Sequence, residues 1–310
     1  MTMQSGEEAN FIKNNLGPQF SANGISTKII AYDHNCDQPG YPEAVLSDAG
    51  ANPYVDGSAF HLYAGDISAL TTVHNAFPNK NVYFTEQFIG GPGNFGGDLS
   101  WHVNNLIIGA PRNWSRVVLE WNLAADPNYN PHTAGGCSTC LGAVTISGNN
   151  YTRNTAYYTV AHASGFVRAG AVRISSNTFS ASLQDIAFKN PDGSKVIVAL
   201  NTASSSQSFK IKWGSESFTY TLPAGAVATF KWTGTQSTVT GPPIGQTIML
   251  KGFNNLYVSG ENGTTAMTCT RTTPGTWEQF LVVDAGGRQG GAAKHGQICV
   301  QRERDHAHYV

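Results

Sequence analysis

From residue 5 to about 167 the chain alternates short apolar runs with helix-periodic stretches, and this alternation confines it to a parallel sheet joined by helical crossovers. Four runs read as strands: Lys28 to Tyr32 (KIIAY), Ala59 to Tyr63 (AFHLY), Val82 to Thr85 (VYFT) and Val117 to Trp121 (VVLEW). Each is apolar enough to be covered on both faces. Helix-like stretches lie near 5–15, 41–49, 66–77, 98–110 and 153–167, giving the order α(βα)4. Two architectures satisfy that order: half of a (β/α)8 barrel, or a self-sufficient four-stranded open α/β sheet.

From about Ala171 the pattern shortens to runs such as VRISS, SFKIKW and AVATFKW separated by turn signals, which predicts a small all-β sandwich. Asn190-Pro191-Asp192-Gly193 is a hairpin signal, because Pro fixes φ and Gly supplies φ > 0. The polar, Pro-containing stretch TGTQSTVTGPP (Thr233 to Pro243) reads as a linker, and a third segment starts at Ile244.

Lys plus Arg number 19 against 20 Asp plus Glu, so no electrostatic footprint for nucleic acid or an anionic membrane exists. Charged residues are 13% of the chain and glycines number 34, which points to an uncharged, loop-rich surface of the kind common outside the cell. No stretch is apolar enough for a membrane span, and MTMQSGEEAN lacks the regions of a signal peptide. Of five cysteines only Cys137 and Cys140 are close; a local disulfide or two loop thiols outweigh a metal site, which would need a second such pair. No metal, cofactor or obligate protein partner is expected.

In parallel α/β barrels functional side chains sit at the carboxyl ends of strands. Those ends carry Asp33, His34 and Asn35, then His61 and Tyr63, then Glu86, then Trp121 and Asn122. Aromatic faces stack on pyranose rings, while carboxylate, imidazole and amide groups satisfy hydroxyls, so this is a sugar-binding inventory. Glu86 is the sharpest candidate, since a carboxylate directly after VYFT points into a barrel mouth. Glu120, beside Trp121 in an alternating strand, faces the other way, toward a helix or the barrel bottom. Asp37 and Asp126 sit in loops as solvated or turn-capping residues.

The strings IIAYDHNCD, AFHLYAG, VYFTEQ, NLIIGAPRNWSRVVLEWNLA and HASGFVRAGAVRI, in this order, resemble glycoside hydrolase family 30, the group of glucosylceramidases and β-1,6-glucanases, over roughly residues 5–232. The resemblance implies a secreted retaining β-glycosidase acting on a β-linked glucan or glucoside. It places the nucleophile at Glu86 and the glycone pocket at His61, Tyr63, Trp121 and Asn122, with Asp33 near it. It further implies an acid/base Glu in an Asn-Glu-Pro sequence ending the fourth barrel strand, shortly before the helix matching SGEEANFIKNNLG. No Asn-Glu-Pro occurs in these 310 residues. The expected chain therefore holds barrel strands five to eight without the proton donor and is inactive in isolation; the competing class is a non-catalytic carbohydrate-binding fragment.

TIMLKGFNNLYVSGENGTTAMTCTRTTPGTWEQFLVV is similar to one repeat of a fascin-like or ricin-like β-trefoil, and such repeats bury a core only in sets. After Gly287, charge and His crowd together. Read one nucleotide later, with permitted third bases, the codons of Arg288 to Tyr309 can encode a second YVS and ENGTT, so the last 23 residues read as a frameshift product. The expected organisation is thus a half barrel over 1–168, a β-sandwich over 169–233, a linker over 234–243, a partial trefoil lobe over 244–287 and a frameshifted, disordered tail over 288–310. Leu250, Tyr257, Trp277 and Phe280 should be less buried than core residues normally are.

Overall fold

The computed structural model describes residues 3–177, 180–214, 216–234, 247–252, 254–261, 265–284 and 298–301. The chain divides into two compact units: Met1–Ile211 with Thr219–Thr235, and Lys212–Phe218 with Gln236–Val310. Of the expected linker, all but Gly234 lies outside the described residues.

In the first unit the α(βα)4 order is realised. Helix α1 (Ser5–Phe11) starts where the Glu7 carboxylate accepts the Gln4 N–H at 2.8 Å, and continues through a π-helical stretch, Ile12–Leu16, into α2 (Gly17–Ala22). Then follow β1 (Ile29–Cys36), α3 (Gly40–Ser47), β2 (Val55–Gly65), α4 (Ala69–Ala76) and β3 (Asn81–Glu86). Beyond a short strand β4 (Ile89–Gly90), α5 (Phe95–His102) is capped by Asn94, whose side chain accepts the Gly97 N–H at 2.8 Å while Asp98 accepts the Asn94 N–H at 2.6 Å. A π-helical stretch (Val103–Gly109) carries it into α6 (Ala110–Arg112), before β5 (Ser115–Val118). The following loop holds β6 (Ala124–Ala125), β7 (Cys140–Leu141), β8 (Val144–Ser147) and β9 (Asn150–Arg153), and leads to α7 (Thr155–Ser164).

Strands β1, β2, β3 and β5 form one parallel sheet in that order. Ala31, Phe60, Val82 and Phe84 pack into a core with Val45, Leu70, Val73 and Leu106 from the helices. Burying each aromatic ring there contributes roughly 2–3 kcal/mol. The expectation of two covered faces fails on the other side. Strand alternation puts Ile30, Val117 and Leu119 there, and they are 39%, 37% and 50% exposed, because helices cover one face alone among the described residues. The outer edges of β1 and β5 likewise have no strand partner among the described residues.

At the amino end of the sheet Asp56 gathers Lys28, the Tyr83 hydroxyl and, at 2.8 Å, the Asn81 amide. Beside it the bare Gly57 lets the Asn81 backbone approach, where any Cβ would collide with the Asn81 carbonyl.

The all-β part contains an antiparallel sheet β10 (Val172–Ile174), β11 (Leu183–Lys189), β12 (Lys195–Asn201) and β15 (Val227–Trp232), and a two-stranded sheet of β13 (Gln207–Trp213) and β14 (Glu216–Leu222). Phe209, Tyr220 and Phe230 meet edge-to-face and join the two sheets. This part is not a separate body: Val103, Ile107 and Ile108 pack against Ile186, Val198 and Leu200. Arg112 donates to the Asp185 carbonyl at 2.6 Å and to its carboxylate at 3.0 Å. The expected turn forms, with Gly193 at φ +81° and Asp192 accepting the Ser194 N–H at 2.8 Å. Its Asn190 is also a latch, 2% exposed, donating to the Phe166 carbonyl and accepting the Arg168 N–H, both at 2.9 Å.

The second unit contains an antiparallel sheet of β16 (Thr247–Met249), β19 (Gln279–Asp284) and β20 (Ile298–Gln301), and a hairpin of β17 (Tyr257–Ser259) and β18 (Thr268–Arg271). Leu250 and Trp277 are 36% and 42% exposed and Tyr257 is half-buried, but Phe280 is buried, since it sits on the central strand of its sheet. At 298–301, the described part of the expected tail, the backbone pairs with β19, Val282 opposite Val300. Residues 288–297 and 302–310 lie outside the described residues.

Burial alone would raise the Asp56 carboxyl; Lys28, Tyr83 and Asn81 overcome this and hold it at about 2. A carboxyl held below its ordinary value stabilises the fold above about pH 4 and loses that contribution as pH falls toward 2. Asp56→Asn is therefore expected to cost about 2 kcal/mol at pH 7 in chemical denaturation. The deficit should disappear near pH 2, and a pH-independent deficit would contradict the assignment.

Candidate active site

Register assembles the site. In the parallel ladder Asn35 lies opposite His61, and His61 opposite Glu86, so three polar residues from three strands form one row at the carboxyl end of the sheet. The Tyr63 hydroxyl donates to Glu86 Oε1 at 3.1 Å, and His61 Nδ1 stands 4.0 Å from the same oxygen. The other ring nitrogen of His61, Nε2, is 3.2 Å from Asp33 Oδ1, which also accepts from Thr85 Oγ1 at 2.6 Å. Asn35 Oδ1 accepts the Tyr63 N–H at 3.2 Å.

Asp33 reaches this position through a backbone that ordinary residues avoid. Tyr32 and Asp33 adopt φ of 78° and 55°, each costing on the order of 1–3 kcal/mol. Packing holds them there: the Tyr32 ring rests 5.1 Å from Tyr41 and 5.5 Å from Phe60, its hydroxyl donates to the Asn35 carbonyl, and its N–H donates to Glu8 at 3.2 Å.

The hydrogen bond from His61, more than that from Thr85, draws the Asp33 carboxyl below its usual value, so it stays ionised. Burial, reinforced by the Glu86 charge, pushes the Tyr63 phenol far upward, so it remains a donor. Glu86 is one-third exposed. The arrangement is an accessible carboxylate held by a phenol, with an imidazole 4.0 Å away that is hydrogen-bonded to a second carboxylate. Among the described residues no group of His, Cys, Asp and Glu is placed to hold a metal ion.

Trp121 and Asn122 join the site through the backbone. The Trp121 N–H donates to the Gln87 carbonyl at 2.8 Å, one residue past Glu86, and the indole is 47% exposed. Asn122 Oδ1 is buried against Gly142 without a hydrogen-bond partner. Among the described residues neither side chain bonds to Glu86. Glu120 faces away, as its position predicts: it accepts from His102 Nδ1 at 2.9 Å on α5, both side chains almost fully buried. Asp126 caps its own turn, accepting the N–H groups of Asn128 and Asn130 at 2.8 Å.

Three contributors escape sequence reasoning. Thr85 is a polar residue in an apolar run, and its alternation with Phe84 was the available signal. Phe88, 5.4 Å from the Tyr63 ring, has no signal. The third is the loop closed by Cys137 and Cys140, which are disulfide-bonded. It pairs β7 with β4 and accepts the Gly91 N–H at Thr139, bracing the segment that follows Glu86.

Removing the stronger Asp33 partner should shift its carboxyl further upward than removing the weaker. A carboxyl-carbon NMR titration is expected to show a larger rise in His61→Phe than in Thr85→Val; the reverse order would contradict the network.

Comparison with known proteins identifies both parts of the chain. The model of the glycosyl hydrolase family 30 TIM-barrel domain matches residues 1–167, and that of the family 30 beta sandwich domain matches residues 170–230. An endo-1,6-beta-D-glucanase of Trichoderma harzianum is 40% identical over 211 residues, covering 65% of this chain and 41% of its own. The lysosomal acid glucosylceramidase of Mus musculus is 26% identical over 245 residues, covering 73% and 46%. A solved endo-beta1,6-glucanase superposes with TM-score 0.69 at 34% identity, covering 75% of this chain and 54% of that one. The chain spans about two fifths of the length of the fungal glucanases it matches. With both of its domain models matched in sequence order, the chain belongs to glycoside hydrolase family 30.

Proposed function

We propose that the protein is the nucleophile-bearing part of a retaining β-glycosidase acting on β-glucosides or β-1,6-glucan. The observation that carries this is the Glu86 carboxylate at the mouth of the parallel sheet, held by the Tyr63 hydroxyl. In the first step Glu86 attacks the anomeric carbon, forming the glycosyl ester as the leaving oxygen departs. In the second, water displaces Glu86, so the β configuration is kept. His61 and Asp33 orient the site and meet sugar hydroxyls, and Trp121 and Asn122 line the glycone pocket. The disulfide and the uncharged surface favour an extracellular setting.

The mechanism also needs a proton donor about 5–5.5 Å from the nucleophile, with a raised pKa. Asp33 is unsuited because its carboxyl is drawn down, and Glu120 is committed to His102. As the family resemblance implies, the donor is then a Glu at the end of the fourth barrel strand, in the barrel half that carries the first four strands. Two features favour this half-barrel reading. A cleft of about 520 Å³ runs beside β5, lined by Trp114, Val117 and Val172, and one of about 650 Å³ runs beside β1, lined by Phe11, Ile29 and Ile30. A partner beginning and ending on a strand pairs both free edges. The β-strands of residues 247–284 fit one lobe of a carbohydrate-binding β-trefoil.

The purified chain is expected to leave phenyl β-glucoside intact, since loss of a general acid alone costs about 10²- to 10⁴-fold. Hydrolysis abolished by Glu86→Gln would show that a proton donor is present after all.

A further inference from the structure

Helices α5 and α7 each begin at the end of the sheet where Glu86 lies, because each follows a strand of the parallel sheet through a loop at that strand's carboxyl end. Their first turns carry exposed aromatic side chains that the glycosidase reading does not use. Phe95, the first residue of α5, is 54% exposed, and Tyr157 and Tyr158 on α7 are 37% and 40% exposed. Tyr151 on β9, 64% exposed, extends the series. The rings are contiguous. Phe95 meets Tyr158 at 5.6 Å and Tyr158 meets Tyr157 at 5.5 Å, both edge-to-face. The Arg153 guanidinium lies 4.8 Å from the Tyr157 ring centre and 5.8 Å from that of Tyr151.

A contiguous exposed aromatic surface of this kind marks a binding site rather than a solvated face. It is fixed to the candidate active site by backbone bonds. Ala143 N–H donates to the Asn122 carbonyl at 2.8 Å and Val144 N–H to the Leu123 carbonyl at 3.0 Å. Asn154, which precedes α7, donates to the Gly142 carbonyl and to Thr145 Oγ1 at 2.8 Å. The β8–β9 hairpin and the start of α7 thus ride on the segment that carries Trp121 and Asn122.

We propose that Phe95, Tyr158, Tyr157, Tyr151 and Arg153 form a track for the polymeric part of a neutral β-linked glucan, at the same end of the sheet as Glu86 and distinct from its pocket. The rings supply stacking faces for sugar rings, and the guanidinium donates to hydroxyls. The occupant follows from the attachment of this surface to the segment that carries Trp121 and Asn122 and from its composition: four aromatic rings and a hydrogen-bond-donating guanidinium suit a chain of hydroxylated rings. This inference rests on the glycosidase reading and adds a second binding region to it.

The test compares a soluble linear β-1,6-glucan with its disaccharide, gentiobiose, on the full chain. Calorimetry reads polymer affinity, and NMR shifts of the His61 ring read occupancy of the pocket. The double variant Tyr151→Ala/Tyr157→Ala is expected to weaken polymer binding about tenfold or more while gentiobiose still shifts His61 as in the parent. The milder Tyr151→Phe/Tyr157→Phe variant should keep polymer affinity, which separates ring stacking from misfolding. Polymer affinity within twofold of the parent in the alanine variant would overturn the track. So would a parent chain that binds gentiobiose at His61 but gains nothing from added length. A parent that binds neither ligand would overturn the glycosidase reading, and the track with it.

Discussion

The site depends on the parallel register of β1, β2 and β3, which sets Asn35 beside His61 and His61 beside Glu86. A one-residue slip would turn each side chain to the other face, and the packing of Phe60 and Phe84 against α4 and the π-helical stretch forbids it. Gly57 permits the close strand approach on which the same register rests, and Asp56 ties three elements together at the opposite end of the sheet. The amino end of the sheet thus supplies stability, and the carboxyl end spends some of it on the left-handed backbone of Tyr32 and Asp33.

Within the site, charge is divided by environment. His61 and Thr85 keep Asp33 ionised, and burial keeps Tyr63 protonated beside Glu86. Neither is a general acid suited to a leaving group: one has no proton, and the other releases its proton only with great difficulty. Under the proposed function Glu86 is the reacting group among the strand-end residues; Ile30 and Val117 are exposed, and clefts flank β1 and β5.

The elements of the parallel sheet were legible because period and punctuation agreed: each of the four apolar runs overlaps a strand, although the fourth strand, Ser115–Val118, ends before Glu120 and Trp121; the position directly after VYFT marks Glu86, and adjacency to Trp121 turns Glu120 to His102. What escaped was set by contacts distant in sequence. Asn190 reads as a turn residue, yet its amide latches to Phe166 and Arg168, more than twenty residues away. The change in texture at 168 falls where the two family models meet, at 167 and 170, but it does not show that Val103 and Ile107 pack on the sandwich strands across that point. Phe280 departs from expectation because it lies on β19, the central strand between β16 and β20.

The central claim is that Glu86 attacks the anomeric carbon, and it can be tested without any general acid. A 2,4-dinitrophenyl 2-deoxy-2-fluoro-β-glucoside has a leaving group that departs unprotonated, and its fluorine slows release of the glycosyl ester. Incubation of the full chain followed by peptide mass spectrometry should find one fluoroglucosyl group on the peptide containing Glu86 and none in Glu86→Gln. Absence of label, label on another carboxylate, or equal labelling of Glu86→Gln would contradict the account.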